Sequence, residues 1–310
     1  MSYKKLRSGL FVILILPLLI LMSACQFKQN KKTEGLQIVT SFYPIYAMTK
    51  YISGNLNDVR MIHSNAGIHS FEPSVNDIAA IYDADAFFYH SHTLESWADR
   101  LDVSTHHSKV KIIESSKGLT LDKVQGLEEM PTEKGIDPAT LYDPHTWSDP
   151  ILAADEAQYI ADKLSKIDPK HKDVYQEHAK QFTQEAKTIF KDYTDKFKGL
   201  KKKTFVTQHT AFSYLAKRFG LTQLGISGIS PEQEPTAKQL TEIRDFIITY
   251  KVKTIFVETN VSQKIAKTVA KSTGADLRIL SSLEFDPENN KPYLENVKNN
   301  LDILYQELKK

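Results

Sequence analysis

The chain has a single cysteine, Cys25, among 310 residues. An intramolecular disulfide is therefore excluded, and stability must come from a packed core. An excess of charge of one sign is also missing: 40 Lys and Arg stand against 38 Asp and Glu, a formal net charge of +2. That balance argues against phosphate-backbone binding, so nucleic acid is not an expected partner. The sequence shows no internal repeat and no extensive low-complexity segment, which sets aside solenoids and disordered scaffolds. What is present is globular: 41% hydrophobic and 25% charged residues, in a length that allows two domains or one large α/β unit.

The first residues read as a targeting segment rather than as fold. Lys4, Lys5 and Arg7 form a basic head, 9–20 is an almost purely apolar run, and Leu21-Met22-Ser23-Ala24-Cys25 follows as a small-residue cleavage site. The run is short for a spanning helix, which needs about 20 residues. The site resembles a bacterial lipobox, with Met22 where the pattern prefers Leu. Residues 1–24 are thus expected to be a signal peptide and Cys25 the lipidated first residue of the mature chain. The polar, Lys-rich stretch 25–35 reads as a tether that holds the body off the outer face of the cell membrane.

After Gly35 short β-rich runs alternate with helical patterns. Strands are expected at 36–41, 58–63, 85–90 and 109–114, then at 203–208, 221–227, 253–258 and 276–280. Such alternation predicts an α/β fold with parallel sheets and helical crossovers, and four strands on each side predict two similar lobes. Between them Tyr175, Ala179, Phe182, Ala186, Ile189, Tyr193 and Phe197 recur at spacings of three and four. Asp168-Pro169 is placed to open this helix and Gly199 to end it. About thirty residues at 1.5 Å each give a rod of roughly 45 Å, a strut beside both lobes whose aromatic stripe is core. The expected division is an N-terminal lobe at 36–168, a linking helix at 169–199 and a C-terminal lobe at 200–310. Further helix starts are expected at Asp149-Pro150, at Thr236 with Gln239 as a capping box, and at Ser262, with Gly274 as a stop. A last amphipathic helix is expected at 293–308.

In open α/β sheets ligands gather beyond the carboxyl ends of strands. Four metal-competent residues fall there or on the matching loops: His69, His145, His209 and Glu284. Two come from each lobe, so the set would meet in the cleft between them. His145 sits in Tyr142-Asp143-Pro144-His145-Thr146-Trp147-Ser148-Asp149-Pro150, where two Asp-Pro steps stiffen the loop ahead of a helix. None of the four has a close partner of the H-x₃-H kind, so spacing alone leaves the site open.

Ser41-Phe42-Tyr43-Pro44, His69-x-Phe71-Glu72-Pro73, Asp143-Pro144-His145-x-Trp147, Gln208-His209-x-Ala211-Phe212 and Glu258 carry a resemblance over essentially the whole mature chain. It is to the cluster A-I metal-binding lipoproteins, the substrate-binding components of zinc and manganese ABC importers. Residues 224–240 narrow the resemblance to streptococcal-type zinc lipoproteins also described as laminin-binding. It implies two (β/α)₄ lobes joined by one rigid linking helix, with a buried metal in the interlobe cleft held by His69, His145, His209 and Glu284. It further implies a permease and its ATPase as partners, laminin as a possible host ligand, and a monomer. Several zinc importers of this family carry a His-rich loop at the cleft mouth. Here the corresponding region, about 117–140, has no His.

Three imidazoles and one carboxylate make a borderline-soft, four-coordinate set that suits Zn²⁺, one per chain as cargo. Manganese prefers more oxygen donors. Ordinary imidazoles, with a pKa of about 6.5, would make affinity fall steeply below about pH 6. A hydrolytic zinc site would keep a position open for water, and Glu284 as fourth ligand closes it, so no enzyme is expected. The adhesin alternative rests on the resemblance alone. His90 and His92 would share a face if their strand ran on, and with Glu258 they are the candidates for orienting or accessory groups. Tyr43, Phe71 and Trp147 are read as cleft walls. His63, His106, His107, His171 and His178 are read as local or solvated groups.

Overall fold

The computed structural model describes residues 35–62, 67–104, 106–124 and 141–310. The expected signal peptide, Cys25 and most of the tether lie outside the described residues, as do His63 and most of the 117–140 loop.

All eight expected strands form, each four residues long. β1 (Gln37–Thr40), β2 (Asp58–Met61), β3 (Ala86–Tyr89) and β4 (Lys111–Glu114) make one parallel sheet in the order β2-β1-β3-β4. β5 (Thr204–Thr207), β6 (Thr222–Gly225), β7 (Thr254–Val257) and β8 (Asp276–Ile279) repeat that order as β6-β5-β7-β8. In each sheet the chain reverses its direction of growth between the two central strands, which opens a crevice at their carboxyl ends. β3 is buried at every position, as is β7, so these strands read as continuous apolar runs.

The helices are α1 (Tyr43–Ser53), α2 (Val75–Asp83), α3 (Pro150–Ile167), α4 (Lys172–Lys198), α5 (Ser213–Phe219), α6 (Ala237–Thr249), α7 (Lys264–Thr273) and α8 (Tyr293–Leu308). Asp149 caps α3 by accepting the Ile151 N–H at 2.8 Å, with Pro150 in the first turn where no N–H is needed. Thr236 and Gln239 close both arms of a capping box on α6. Gly274 ends α7 in the left-handed region (φ +75°).

Three expected helix signals act differently. Asp168 does not cap α4, because a 3₁₀ turn, Pro169–His171, intervenes. Its carboxylate takes His171 Nδ1 at 2.6 Å and the Tyr175 hydroxyl at 2.7 Å. Ser262 does not cap α7, whose N-cap is Gln263. Gly199 follows α4 with ordinary right-handed dihedrals, so its missing Cβ is not what stops the helix.

All seven residues of the α4 stripe are buried. They pack on α3, α1, α8 and α5, and so belong to both ends of the molecule. One hydrophobic cluster runs from Ile38, Phe42 and Met48 past Phe182 and Tyr193 to Phe205, Phe219 and Phe256. Each large apolar side chain so buried contributes about 1.5–3 kcal/mol, and residues 35–310 behave as one compact unit. Smaller clusters cover the outer face of each sheet, around Phe87 and Trp97 and around Val206 and Ile255. The fold is two parallel α/β lobes joined by a long helix whose core is shared.

Candidate metal centre

His69 lies in the 3₁₀ turn Ile68–Ser70 beyond β2, His209 two residues beyond β5, and Glu284 on the loop after β8. His145 ends the extended Asp143-Pro144 segment just before the turn Thr146–Ser148 and α3. The four side chains converge, with their ligand atoms all within 4.8 Å of one another. His145 Nε2 and His69 Nε2 are 3.2 Å apart. Glu284 Oε1 lies 2.9 Å from His209 Nε2, 3.6 Å from His145 Nε2 and 3.7 Å from His69 Nε2. Around a tetrahedral ion with bonds of about 2.05 Å, neighbouring donors lie about 3.3 Å apart. The spacing observed therefore suits a small four-coordinate cation. Glu284 Oε2 is buried and has no hydrogen-bond partner among the described residues, as a carboxylate aimed at a cation would be.

Behind the set stand carboxylates that fix the rings. Asp143 Oδ1 accepts the His145 backbone N–H at 2.9 Å and takes Nδ1 at 2.7 Å, leaving Nε2 as the free donor. Asp143 Oδ2 accepts from the Ser213 hydroxyl. Glu258 Oε1 takes His209 Nδ1 at 2.6 Å. Glu258 follows β7, next to the crevice that β5 and β7 open.

Burial alone would lower both imidazole pKa values. The Asp143 carboxylate more than offsets this at His145, and Glu258 and Glu284 together push His209 up to about 10. In turn, although burial opposes it, His145 holds Asp143 low and His209 holds Glu284 low. Without a metal the pocket thus retains protons where a cation would sit.

Among the candidate orienting groups, Glu258 contacts His209 as described. The two remaining histidines do not share a face, because β3 stops at Tyr89. The His90 and Ser91 amides turn to the Glu95 carboxylate, at 3.1 and 2.9 Å, instead of continuing the ladder. His90 is wholly buried, with Nδ1 on Glu156 at 2.9 Å and Nε2 donating to the Pro144 carbonyl at 2.8 Å. Burial opposes its charge, but Glu156 raises its pKa, and two oxygen acceptors suit an imidazolium. His90 therefore braces the loop that carries His145. His92 does neither: its ring is half exposed and pairs with Glu114 at 2.9 Å. His106 stacks on Tyr82 at 4.1 Å, His171 bonds Asp168, and His178 bonds the Ile52 carbonyl.

Trp147 is buried against His145, and its indole N–H donates to the Ser282 carbonyl at 3.0 Å. Tyr43 lines a cleft of about 350 Å³ that reaches Glu284 between Phe42 and Ile68 on one side and Asn260 and Asp286 on the other. Phe71 instead packs on Trp97, 6.0 Å between ring centroids. The bond from Asp143 to the His145 ring is not among the sequence expectations, in which Asp143 stiffens its loop and belongs to the family motif. An Asp two residues before a His is nonetheless a legible signal, since Asx side chains bond the backbone two residues on.

Two parallel α/β lobes, joined by a rigid helix and pointing strand ends at one buried N₃O donor set, define a solute-binding protein with a cation-sized site. Residues 38–307 match the family described as zinc-uptake complex component A, periplasmic, and the chain belongs to that family. It is 36% identical over 317 residues to the high-affinity zinc uptake system protein ZnuA of Bacillus subtilis (strain 168), covering 98% of each chain. Among solved structures it resembles the laminin-binding protein Lmb of Streptococcus agalactiae, described as bifunctional with adhesin and metal transporting activity. That match has 63% identity and a TM-score of 0.83, over 89% of this chain and 100% of the other. A Zn(II)-bound glutamate-to-glutamine variant of AdcAII from Streptococcus pneumoniae matches with 61% identity and a TM-score of 0.85, over 89% and 99% of the two chains.

Proposed function

We propose that this chain captures Zn²⁺ through His69, His145, His209 and Glu284 and delivers it to an ABC importer, its permease and ATPase being the partners. The observation that carries this reading is the meeting of three Nε2 atoms around Glu284 Oε1, with Asp143 and Glu258 behind two of the rings. Three neutral nitrogens and one carboxylate favour zinc over manganese, which takes harder oxygen donors. Four protein ligands fill a tetrahedron and leave no position for a reacting water, so the cation is cargo rather than catalyst. In this reading 36–168 and 200–310 are the two jaws, 169–199 is the strut, and the mature protein is a monomer held at the outer face of the membrane by lipid on Cys25. Two or more acyl chains on one residue give stable anchoring. A Cys25→Ala chain is expected to leave unprocessed precursor or shed protein into the medium, which fractionation of cells would show.

Elemental analysis of the purified chain after exposure to equimolar Zn²⁺ and Mn²⁺ tests the cargo. One zinc per chain is expected, and manganese at that stoichiometry would refute the choice of metal. The second reading, adhesion to laminin, draws on the 63% identity to Lmb. Comparing laminin capture by zinc-free and zinc-loaded protein separates a matrix-binding surface from a pure carrier.

A further inference from the structure

Ser282 touches none of the four metal-competent side chains, yet three of them depend on it. It is 3% exposed. Its hydroxyl donates to Glu258 Oε2 at 2.6 Å, while Glu258 Oε1 takes His209 Nδ1 at 2.6 Å. Its carbonyl accepts the Trp147 indole N–H at 3.0 Å, two residues past His145. Along the chain it stands two residues before Glu284. We propose that Ser282 is a positioning residue for metal capture, tying the His209, His145 and Glu284 supports into one frame.

The argument turns on which freedoms remain. The backbone of Glu258 is fixed already: its N–H donates to Gln208 Oε1 at 3.2 Å and its carbonyl accepts from Gln263 Nε2 at 2.6 Å. What is left is rotation of the carboxylate. Among the described residues only the Ser282 hydroxyl and the His209 ring hold it. Without that hydroxyl, Oε2 becomes a buried acceptor with no donor, and the carboxylate gains by turning to find one. Any turn moves His209 Nε2, which is the ligand atom. Loss of a partner bonded directly to a ligand costs 10–100-fold in metal affinity in metalloproteins generally, and Ser282, acting one bond further out through Glu258, is expected at the lower end of that range.

The other arm holds the loop itself. Leu283 sits in the left-handed region, φ +60°, with its side chain buried. For a branched non-glycine residue that conformation is unfavourable and persists only where neighbours impose it. Here the Leu283 N–H donates to Ser281 Oγ at 3.2 Å, and Asn300 holds the Ser281 carbonyl at 2.7 Å. The indole of Trp147 fixes the carbonyl between them. The strained step therefore delivers Glu284 at a set angle to a loop that also carries His145.

The inference rests on the four-residue zinc reading, and one experiment separates their failures. The full chain and its variants are titrated with Zn²⁺ against a chromophoric chelator, and the visible spectrum of the Co²⁺ form reports ligand geometry. Ser282→Ala should weaken zinc about tenfold and alter the cobalt spectrum, while Ser282→Thr, which keeps the hydroxyl, stays within about threefold of wild type. Ser165→Ala removes another buried hydroxyl, one bonded to Ala161 and Gln176 away from the site, and should change neither readout. Wild-type affinity and spectrum in Ser282→Ala overturn the inference while leaving the zinc site standing. A wild-type chain that takes no zinc overturns the site reading first. If Ser282→Ala does not fold, Trp147→Phe removes the indole donor together with part of a buried ring, and unchanged affinity there is the refuting result.

Discussion

Asp143 and Glu258 do one job on opposite sides of the cleft: each takes the Nδ1 of a histidine and leaves Nε2 free. His145→Ala should therefore weaken zinc by at least about 100-fold, since a directly bound donor matters more than the outer partners that cost 10–100-fold. The fold should survive, because the loop is set by Asp143 and by His90 on Pro144 rather than by metal. His106→Ala, on an exposed ring stacked on Tyr82, should leave the same titration unchanged. The pH dependence also shifts from the plain imidazole expectation. With His209 raised to about 10 in the metal-free pocket, its ring holds a proton at pH 7 that zinc must displace, and Asp143 shifts His145 in the same direction. Apparent affinity should keep rising with pH through neutrality, instead of levelling off above about pH 6 to 7, and should fall as pH drops. Calorimetry in buffers of different ionisation enthalpy should record proton release at pH 7.5, and none would contradict the protonated pocket. The candidate ligands were legible because His and Glu stand beyond strand ends. His92 was misjudged because the turn that ends β3 depends on Glu95, which period-two patterning cannot foresee.

The capping elements divide into those that read true and those a closer partner diverted. Thr236 holds α6 through a reciprocal box on an exposed surface. Thr236→Ala should cost about 1 kcal/mol in denaturant unfolding and leave zinc affinity untouched, since α6 carries no ligand. A larger loss of affinity than of stability would mean that α6 reaches the site. Strand existence was legible throughout, from the all-apolar or β-branched runs of β3 and β7 to edge strands such as β2 and β8, where two apolar residues alternate with charged ones between turn signals. Strand ends were not: every strand was expected to be longer than it is, and only the starts of β2 and β8 and the end of β4 fall where expected. The outer residues are claimed by side chains such as Glu95 and Gln208. Asp168 and Ser262 had cap chemistry, but the first was taken by Tyr175 and His171 and the carbonyl of the second by Gln208.

At the scale of the molecule the lobes share more than a helix. Arg218 reaches Asp149 at 2.7 Å, Tyr214 donates to the Asp143 carbonyl at 2.7 Å, and Asn296 donates to Tyr43 at 3.1 Å, all across the junction. A core continuous from Phe42 to Phe205 leaves no soft waist. The alternation of elements announced two lobes, but nothing in a one-dimensional pattern announces that their cores fuse, since the residues concerned look like any amphipathic stripe. Zinc at a thousand times its Kd should stabilise the native chain by about 4 kcal/mol. Differential scanning calorimetry should show a higher Tm with zinc that returns to the metal-free value on adding a chelator. An unchanged Tm would mean that zinc binds the native chain no more tightly than the unfolded one.

The lone Cys25 means that nothing covalent can join distant parts of the folded body. The four side chains at the cleft do join them, bringing His69 to His145 across 76 residues and His209 to Glu284 across 75. An ion held there acts as a reversible cross-link of the kind a disulfide would otherwise supply, closing long loops in the unfolded chain's accounting of entropy. The cargo and the staple are then the same atom. Each release of the ion would open this clasp while the Arg218–Asp149, Tyr214–Asp143 and Asn296–Tyr43 ties remain, so the emptied form is the one more open to proteolysis. The lifetime of the carrier would follow the supply of the metal it carries.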